Sequence, residues 1–580
     1  MRRRICGRAG ALAADACKLL WILPGKDVQK MKKIVPVLIM IGMALCVFIG
    51  YLGYRAVQKY WPTKEPADLE AYYKVSGQET AIFLNNELQE ETGFFQNGQV
   101  YLPVSWINDH INERFYWDEN EQLLVYALPE SIVYADLETK SSKGAPYIQI
   151  SEGKAYLSAE LTASYTDIRV SAFTEDAVKR IFIDTTWDAE EWHTLRRSGA
   201  VRELGGVKSP VIIQEEEGTS VLVLEEMDRW SKVRTADGHI GYLENRRLGD
   251  TDTITYVSTF EEPVYRNISM DEKVCLAWHQ VTSQSANRTI ESLLENTRGI
   301  NVISPTWFSL TDNEGNFSSL ADSSYVEYLH ERGIQVWALL DNFSDNVQSE
   351  VLLSKTSTRR KLIDGLMEEV KQYNLDGLNL DFEGLKESAG PHYIQFIREL
   401  SVSCRQEGIV LSVDNYVPAA YNSFYNRREQ GIVADYVIVM GYDEHYAGGE
   451  PGPIASYSYV KQGIEDTLEL VPKEKVINAV PFYTRVWKES TEGRSSDALG
   501  IADAKDWAEQ KGVELVWQDD LGLYYGEIDD EGVRKQVWME EERSLGLKMD
   551  LIRENDLAGV ACWKLGFEPA SVWDVIKVNE

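Results

Sequence analysis

The stretch LDGLNLDFEGL, residues 375–385, decides the fold assignment because polar and apolar side chains alternate along it. Successive side chains of a strand point to opposite faces, so Asn379, Asp381 and Glu383 share one face. The intervening apolar side chains share the other face, which we expect to pack against helices. The polar row then points into a barrel, and its last member, Glu383, lies at the barrel mouth.

Apolar runs of strand length recur between residue 256 and the C-terminus, separated by amphipathic helical patterns. Strands alternating with helices in this way predict an α/β fold, a (β/α)8 TIM barrel over residues 256–580. The interval between the last two strands is too long for a simple crossover and predicts an α+β insertion at about residues 488–556. The eight predicted strands begin at Val274, Asn301, Gln335, Gly377, Val410, Tyr436, Val476 and Gly559.

Two carboxyl groups close together at a barrel mouth suit acid catalysis. Residues two apart on a strand are about 6–7 Å apart, so an ionised Asp381 makes ionisation of Glu383 harder. We expect Glu383 to keep a proton near neutral pH, as cleavage of a glycosidic bond requires. An amide at Asn379 is expected to donate an N–H to Asp381 and hold its pKa low.

The motif LDGLNLDFE resembles the D-x-x-D-x-D-x-E signature of glycoside hydrolase family 18. Asp376, Asp381 and Glu383 match it, whereas Asn379 stands where chitinases usually carry aspartate. Further matches are MGYDEHY, PFYTRVW, with its tyrosine and arginine placed on the seventh strand, and GVACWKLG. Several of these features are similar to the branch that contains spore-cortex and peptidoglycan N-acetylglucosaminidases.

The resemblance implies substrate-assisted retaining catalysis without a cofactor, on a polymer that contains N-acetylglucosamine. Glu383 would protonate the leaving group, Asp381 would hold the acetamide N–H, and Tyr442 would bind the acetamide oxygen. Trp563 would stack on the sugar. The remaining substrate-binding positions implied are Asn379, Asp376, Met440, Asp443, Tyr483 and Arg485.

The N-terminus predicts a membrane anchor. Residues 1–33 are rich in arginine and lysine, and residues 34–54 carry no charged side chain. As a helix this apolar run is about 31 Å long, enough to cross a bilayer. The preceding basic residues favour a cytoplasmic N-terminus and an extracellular catalytic domain. A cleaved signal peptide is the alternative, but no A-x-A cleavage site follows the run.

Two β-rich modules are predicted between the anchor and the barrel. Within residues 67–198, NGQVYLPVSWI is echoed by EGKAYLSAELT, and this repeat resembles the stalk-type domain first described in copper amine oxidases. Residues 203–250 contain WSKVRTADGHIGYL and resemble a bacterial Src-homology-three-type (SH3-like) module, a class that often holds cell-wall peptides. A rigid spacer with Trp230 and Tyr242 as core aromatics is the alternative.

Charge and composition limit the partners. The formal net charge of −33 excludes nucleic acid, whose binding needs clustered lysine and arginine. Peptidoglycan is favoured over chitin because of the anchor and the wall-type modules, and we expect a monomer without a bound metal. Two alternatives stay open: a calcium or magnesium site at Asp376, Asp381, Glu383 and Asp443, and a catalytically inactive, glycan-binding barrel acting as a cell-wall binding protein.

Overall fold

A computed structural model describes residues 27–491 and 493–579. The described chain forms two compact units. The first combines the described part of Met1–Phe95 with Ile168–Ser258, and the second combines Gln96–Asp167 with Thr259–Glu580. The predicted stalk-like module of residues 67–198 is therefore divided between both units. Most of the predicted basic segment, residues 1–26, lies outside the described residues.

One long apolar helix, Asp27–Tyr60, begins the described chain. Within its part Ile34–Tyr60, an 18-residue apolar window has a mean hydropathy of 2.5 and is not buried in the protein. Length and composition suffice to cross a membrane, and an N-terminal signal sequence has the same properties. The membrane anchor and its orientation stay predictions.

The first unit is rich in β-structure, as the sequence predicts. One group of strands pairs in the order Glu87–Gln96, Glu79–Leu84, Lys179–Asp184 and Arg169–Phe173, beside helix Leu69–Tyr73. A seven-stranded sheet covers the region of the predicted SH3-like module. Its strands, in spatial order, are Val211–Glu215, Gly199–Arg202, Ile240–Glu244, Trp230–Thr235, Ser220–Glu226, Glu190–Leu195 and Leu248–Ile254.

The second unit contains a closed parallel barrel, which confirms the predicted (β/α)8 TIM fold. Each strand pairs with its neighbours in chain order; β8 pairs with β1, and β2 pairs with β3, so the eight strands close into a barrel. All eight predicted strands are present. They are β1 (Val274–His279), β2 (Val302–Pro305), β3 (Gln335–Asp341), β4 (Gly377–Asp381), β5 (Val410–Tyr416), β6 (Tyr436–Met440), β7 (Val476–Pro481) and β8 (Gly559–Trp563).

Helices surround this barrel and bury their apolar faces against it. A short hairpin, Phe308–Leu310 with Phe317–Ser319, extends the sheet beside β3. The helices are Ile290–Leu294, Ser323–His330, Ser349–Leu353, Thr356–Tyr373, Gly390–Glu407, Arg427–Val433, Tyr457–Leu468 and Glu542–Glu554.

An inserted subdomain follows β7, but its boundaries differ from the prediction. Strand β7 ends at Pro481, and Tyr483 already pairs antiparallel with Gly500 in a separate five-stranded sheet. Tyr483 and Arg485 therefore belong to the insertion and not to the seventh barrel strand. The insertion consists of strands Tyr483–Ser490, Gly493–Gly500, Val516–Gln518, Leu523–Asp530 and Val533–Met539 and helix Ile501–Lys511.

Residues 96–167, here called the flanking segment, pack against the barrel helices within the second unit. The segment contains the strands Gln99–Pro103, Tyr116–Asp118, Leu123–Ala127, Ile132–Ala135, Ile148–Ser151 and Lys154–Ser158 and the helices Val104–His110 and Ala159–Ser164. Its contacts with the barrel are polar and buried. Arg114 Nε donates to Glu429 Oε1 at 2.9 Å, and Arg359 lies over the Tyr116 ring at 4.6 Å.

The flanking segment also caps a barrel helix. Helix Thr356–Tyr373 has no side-chain cap from its own N-cap residue. Buried Asp118 instead accepts hydrogen bonds from the backbone N and the hydroxyl of Thr356, both at 2.6 Å. Helix N-termini lie on the side of the barrel where the strands end, because each helix runs antiparallel to its strand. The flanking segment therefore reaches the rim that carries the candidate site.

Asp118→Ala should destabilise the second unit by about 2 kcal/mol, because it removes a helix cap and leaves a buried N–H unpaired. Thermal unfolding of the purified full-length protein measures the effect. Glu119→Ala is the matched control, since Glu119 is exposed and adjacent to Asp118. Equal unfolding temperatures for the two variants would contradict the capping role.

Candidate active site

The polar row of β4 lies inside the barrel, in the predicted alternation. Asn379 is fully buried, Asp381 is 6% exposed and Glu383 is partly exposed, so exposure increases toward the mouth. Between them, Leu380 and Phe382 are buried in the core that joins strands to helices. The order follows from the fold, because the C-terminal ends of barrel strands face solvent.

Asn379 is held by four hydrogen bonds that use both ends of its amide. Its Oδ1 accepts from Trp278 Nε1 at 2.9 Å and from Ser304 Oγ at 3.0 Å. Its Nδ2 donates to Ser412 Oγ at 3.0 Å and to Asp414 Oδ1 at 2.8 Å. The expectation that Asn379 donates to Asp381 was wrong. Asn379 lies beneath the site, bound to β5, and leaves no exposed atom for a substrate.

Asp381 sits among carboxyl groups near the end of β4. Burial first, and then the neighbouring Asp414, Glu383 and Asp341, raise its pKa well above the ordinary value. The expected low pKa of Asp381 was therefore also wrong. Its Oδ1 has no hydrogen-bond partner among the described residues. An unsatisfied buried acceptor is costly, which makes this atom available to a ligand N–H.

Glu383 is fixed on both its backbone and its side chain. Its N–H donates to Asn342 Oδ1 at 2.9 Å, and its carbonyl accepts from Asn342 Nδ2 at 2.9 Å. Tyr416 OH donates to Glu383 Oε2 at 2.9 Å. Burial raises the pKa of Glu383, the Tyr416 hydrogen bond lowers it, and the charge of Asp443 raises it. The raised pKa favours a protonated carboxyl at the mouth.

Sequence reasoning missed Asp414 and Tyr416 on β5, although a signal was present. Ser412, Asp414 and Tyr416 follow one another at the period of two that the polar row of β4 has, with apolar Val413 between the first two. Burial raises the pKa of Asp414 well above its ordinary value, while the hydrogen bond from Asn379 lowers it. Asp341, at the end of β3 and in register with Asp381, was also missed.

Tyrosine and arginine side chains form a second side of the site. The rings of Tyr442 and Tyr483 meet edge to face, with centroids 6.2 Å apart. Tyr483 OH donates to Asp443 Oδ1 at 2.6 Å, and Arg485 Nη2 lies 3.5 Å from the same oxygen. Burial raises the pKa of Tyr442 well above its ordinary value, and nearby Tyr483 and the buried carboxyl groups raise it further. The hydroxyl of Tyr442 therefore remains a donor.

The other predicted site residues lie at two opposite ends of the barrel. Met440 ends β6 and Trp563 ends β8, both at the mouth, and the Trp563 ring contacts the Trp278 ring edge to face at 5.7 Å. Asp376 precedes β4 and lies at the opposite end of the barrel. Its Oδ2 accepts from the Val336 N–H at 2.8 Å. Asp376 therefore supports the fold and does not share the site with Glu383.

The proposed metal set is not brought together, because Asp376 lies at the far end of the barrel. Within residues 27–491 and 493–579, no group of three or more His, Cys, Asp or Glu side chains has a metal-holding arrangement. The geometry instead combines a proton donor at the mouth, an unpaired acceptor beneath it, tyrosine hydroxyls and tryptophan rings. Such a set can protonate a leaving oxygen while binding a polar group beside it.

Comparison with known proteins agrees with this chemistry. Residues 322–568 match the family model described as "Glycosyl hydrolases family 18". An uncharacterized glycosylase of Bacillus subtilis, YvbX, is 26% identical over 294 residues, which are 48% of this chain and 84% of that protein. A cortical fragment-lytic enzyme of Bacillus subtilis is 27% identical over 240 residues, which cover 40% of this chain and only 56% of that enzyme.

Solved structures with similar folds include the C-terminal domain of a putative chitinase from Desulfitobacterium hafniense, with 23% identity and a TM-score of 0.49. That match covers 53% of this chain and 97% of the other. The spore cortex-lytic enzyme SleL of Bacillus megaterium matches with 21% identity and a TM-score of 0.48, over 57% of this chain and 77% of the other.

Asn379→Asp should make folding stability depend on pH. The new carboxyl faces Asp414 Oδ1, so one of the two groups must retain a proton in the folded state. A folded-state pKa above the unfolded value gives stability at low pH that is lost as pH rises. The variant should therefore lose stability relative to the parent as pH rises above the unfolded aspartate pKa of about 3.9, by about 1.4 kcal/mol for each unit of pKa difference.

Denaturant unfolding across this pH range tests the effect. Asn346→Asp is the control, because Asn346 is exposed and the same substitution there adds a solvated charge. A stability difference between Asn379→Asp and the parent that stays constant with pH would contradict the pairing with Asp414.

Proposed function

We propose that the protein, a glycosidase whose residues 322–568 match the family model of glycosyl hydrolase family 18, cleaves β-1,4 bonds at N-acetylglucosamine by substrate-assisted retention. The observation that carries the proposal is the Glu383 carboxyl. It lies at the mouth of the barrel, its pKa is raised, and Tyr416 orients it. A carboxylic acid that holds its proton near neutral pH is what a leaving sugar oxygen requires.

In the first step Glu383 donates its proton to the glycosidic oxygen as the bond to the anomeric carbon breaks. The acetamide oxygen of the same sugar attacks that carbon and forms an oxazolinium ion. Glu383, now a carboxylate, then removes a proton from a water molecule as that water attacks the anomeric carbon and opens the oxazolinium ring. Two inversions at one carbon give net retention, and Glu383 regains its proton.

Asp381 and Tyr442 hold the acetamide group during this sequence. Asp381 Oδ1, which has no partner among the described residues, accepts the acetamide N–H, and Tyr442 donates to the acetamide oxygen. In the free protein, burial and the neighbouring carboxyl groups favour a proton on Asp381. The developing positive charge of the oxazolinium ion favours the ionised form, so Asp381 releases its proton to solvent and its negative charge then lies next to the positive one.

The remaining residues of the mouth position the sugar. Trp563 stacks on the ring bound at the cleavage point, and Met440 packs beside it. Asp443, held by Tyr483 and Arg485, contacts sugar hydroxyls, so the inserted sheet forms one wall of the substrate site. The reaction needs no cofactor and no metal.

The polymer proposed is peptidoglycan, with a chitin-type polymer as the second candidate. Support comes from the apolar helix Ile34–Tyr60, which would anchor a monomer with its catalytic unit outside the cell. Further support comes from the similarity to a cortical fragment-lytic enzyme. The alternative function is an inactive, glycan-binding barrel in a cell-wall binding protein.

One experiment separates these functions. Peptidoglycan and chitooligosaccharides are incubated with the full-length protein, and new reducing ends are identified by mass spectrometry after borohydride reduction. Glu383→Gln should lower turnover at least about a hundredfold while polymer binding persists, because the amide cannot transfer a proton. Glu368→Gln, on an exposed helix face, is the control. No new reducing ends with the parent protein would favour the binding function.

Tyr416→Phe should move the basic limb of the kcat/KM profile to higher pH. The Tyr416 hydrogen bond lowers the pKa of Glu383, so its loss raises that pKa and keeps Glu383 protonated at higher pH. Tyr421→Phe is the control, because Tyr421 is 77% exposed and lies in the loop that follows β5. A basic limb that stays in place or moves to lower pH would show that this hydrogen bond does not tune the acid.

A further inference from the structure

A cavity of about 1040 Å³ lies between the flanking segment and the barrel, outside the site described above. Helix Val104–His110 and strand Tyr116–Asp118 line one wall. The start of helix Gly390–Glu407 and the turn Ala420–Tyr425 line the other. Its volume is at the upper end of the range for ligand sites, roughly 300–1,000 Å³. We call it the flank groove.

The flank groove shares loops with the candidate active site. Its lining residue Glu387 follows Glu383 in the loop after β4. Its lining residue Phe424 lies in the turn after β5, the strand that ends at Tyr416. In that turn, Tyr425 OH donates to the Phe382 carbonyl at 3.2 Å. A polymer that leaves the catalytic mouth over these loops would reach the flank groove.

Aromatic rings are available in the flank groove. In strand Tyr116–Asp118, the side chains of Tyr116 and Asp118 are buried against barrel helices. Because side chains alternate along a strand, Trp117 lies on the other face. Trp117 is only partly buried, as is Phe424 on the opposite wall. Partly exposed aromatic faces suit the apolar faces of sugar rings and give large contact area with little loss of entropy.

The polar lining of the flank groove favours a neutral, hydroxyl-rich ligand. Asp109, Glu113, Glu119 and Glu387 are exposed acceptors. The basic side chains of the lining do not offset these four negative charges. Arg398 Nε is already paired with Glu429 Oε1 at 2.7 Å, which leaves Lys154, exposed on its hairpin. A polyanion is repelled by this charge balance, whereas sugar hydroxyls can donate to the carboxylates.

Two buried polar atoms at the lining also have no hydrogen-bond partner among the described residues. They are Arg398 Nη2 and Asn108 Oδ1. The Arg398 side chain is 3% exposed, and Glu113 Oε1 lies 3.9 Å from its Nη2. Buried donors and acceptors are normally paired, so this donor and acceptor are ready for a ligand that brings both.

We propose that the flank groove is a second glycan-binding site, which holds a strand of the neutral N-acetylhexosamine polymer while the barrel cleaves it. The proposal rests on the proposed function for its choice of polymer. Binding at two connected places raises the effective concentration of polymer at the catalytic mouth without new catalytic contacts. The flanking segment is then part of the substrate-binding surface and not a spacer.

The test measures binding in the Glu383→Gln background and hydrolysis in the parent background, both with the full-length protein. Trp117→Ala should weaken co-sedimentation with insoluble chitin, a neutral N-acetylglucosamine polymer, about five- to tenfold, and Trp117→Phe should restore most of it. The ratio of polymer hydrolysis to hydrolysis of a short soluble chitobioside should fall by a similar factor. Because sedimentation needs no turnover, it remains informative if the proposed catalytic role of Glu383 fails.

A second variant combines Asp109→Ala with Glu119→Ala. Because both side chains are exposed, these substitutions should not disturb the fold, so an effect on binding cannot be attributed to misfolding. It should also weaken polymer binding. Unchanged sedimentation and an unchanged hydrolysis ratio in a folded Trp117→Ala protein would overturn the proposal. Binding of an oligolysine probe in the flank groove that the polymer cannot displace would also overturn the proposal. That result would identify a site for cationic peptides.

Discussion

The burial of polar side chains inside the barrel is the constraint on which this site depends. A carboxyl or amide group enclosed by strands must find partners, because unpaired buried polar atoms are costly. Asn379 meets this constraint by bonding to β1, β2 and β5 at once, through Trp278, Ser304, Ser412 and Asp414. The same amide thereby ties β4 to β5, whose ends carry Glu383 and Tyr416.

The chemistry of Glu383 results from two opposed effects on the same carboxyl group. Burial favours its neutral form and raises the pKa, whereas the hydrogen bond from Tyr416 favours the ionised form. A group balanced in this way can give up a proton and take it back, as the proposed two-step reaction requires. Deeper in the barrel, Asp381 keeps one oxygen unpaired among the described residues, so that a ligand can complete its hydrogen bonding.

The flanking segment shows that the catalytic unit is larger than the barrel. Arg359 and Glu399 form a fully buried ion pair on barrel helices, and Tyr116 covers it. Asp118 caps one of these helices from outside. Removing one partner of a buried ion pair leaves an uncompensated charge and is strongly destabilising. The barrel and the flanking segment therefore depend on each other for stability. The flank groove between them follows from the same packing.

The eight strands and the outward order of Asn379, Asp381 and Glu383 can be predicted from the amino-acid pattern, because a strand has a period of two and a barrel must bury its apolar face. Which side chains of different strands meet inside the barrel depends on how the strands are staggered in the closed sheet, and no pattern along one strand reveals that stagger. That arrangement brought Asp414 and Tyr416 to the site and gave the Asn379 amide to β5. It also left Asp376 at the far end, because a strand rises about 3.3 Å with each residue and motif neighbours become distant.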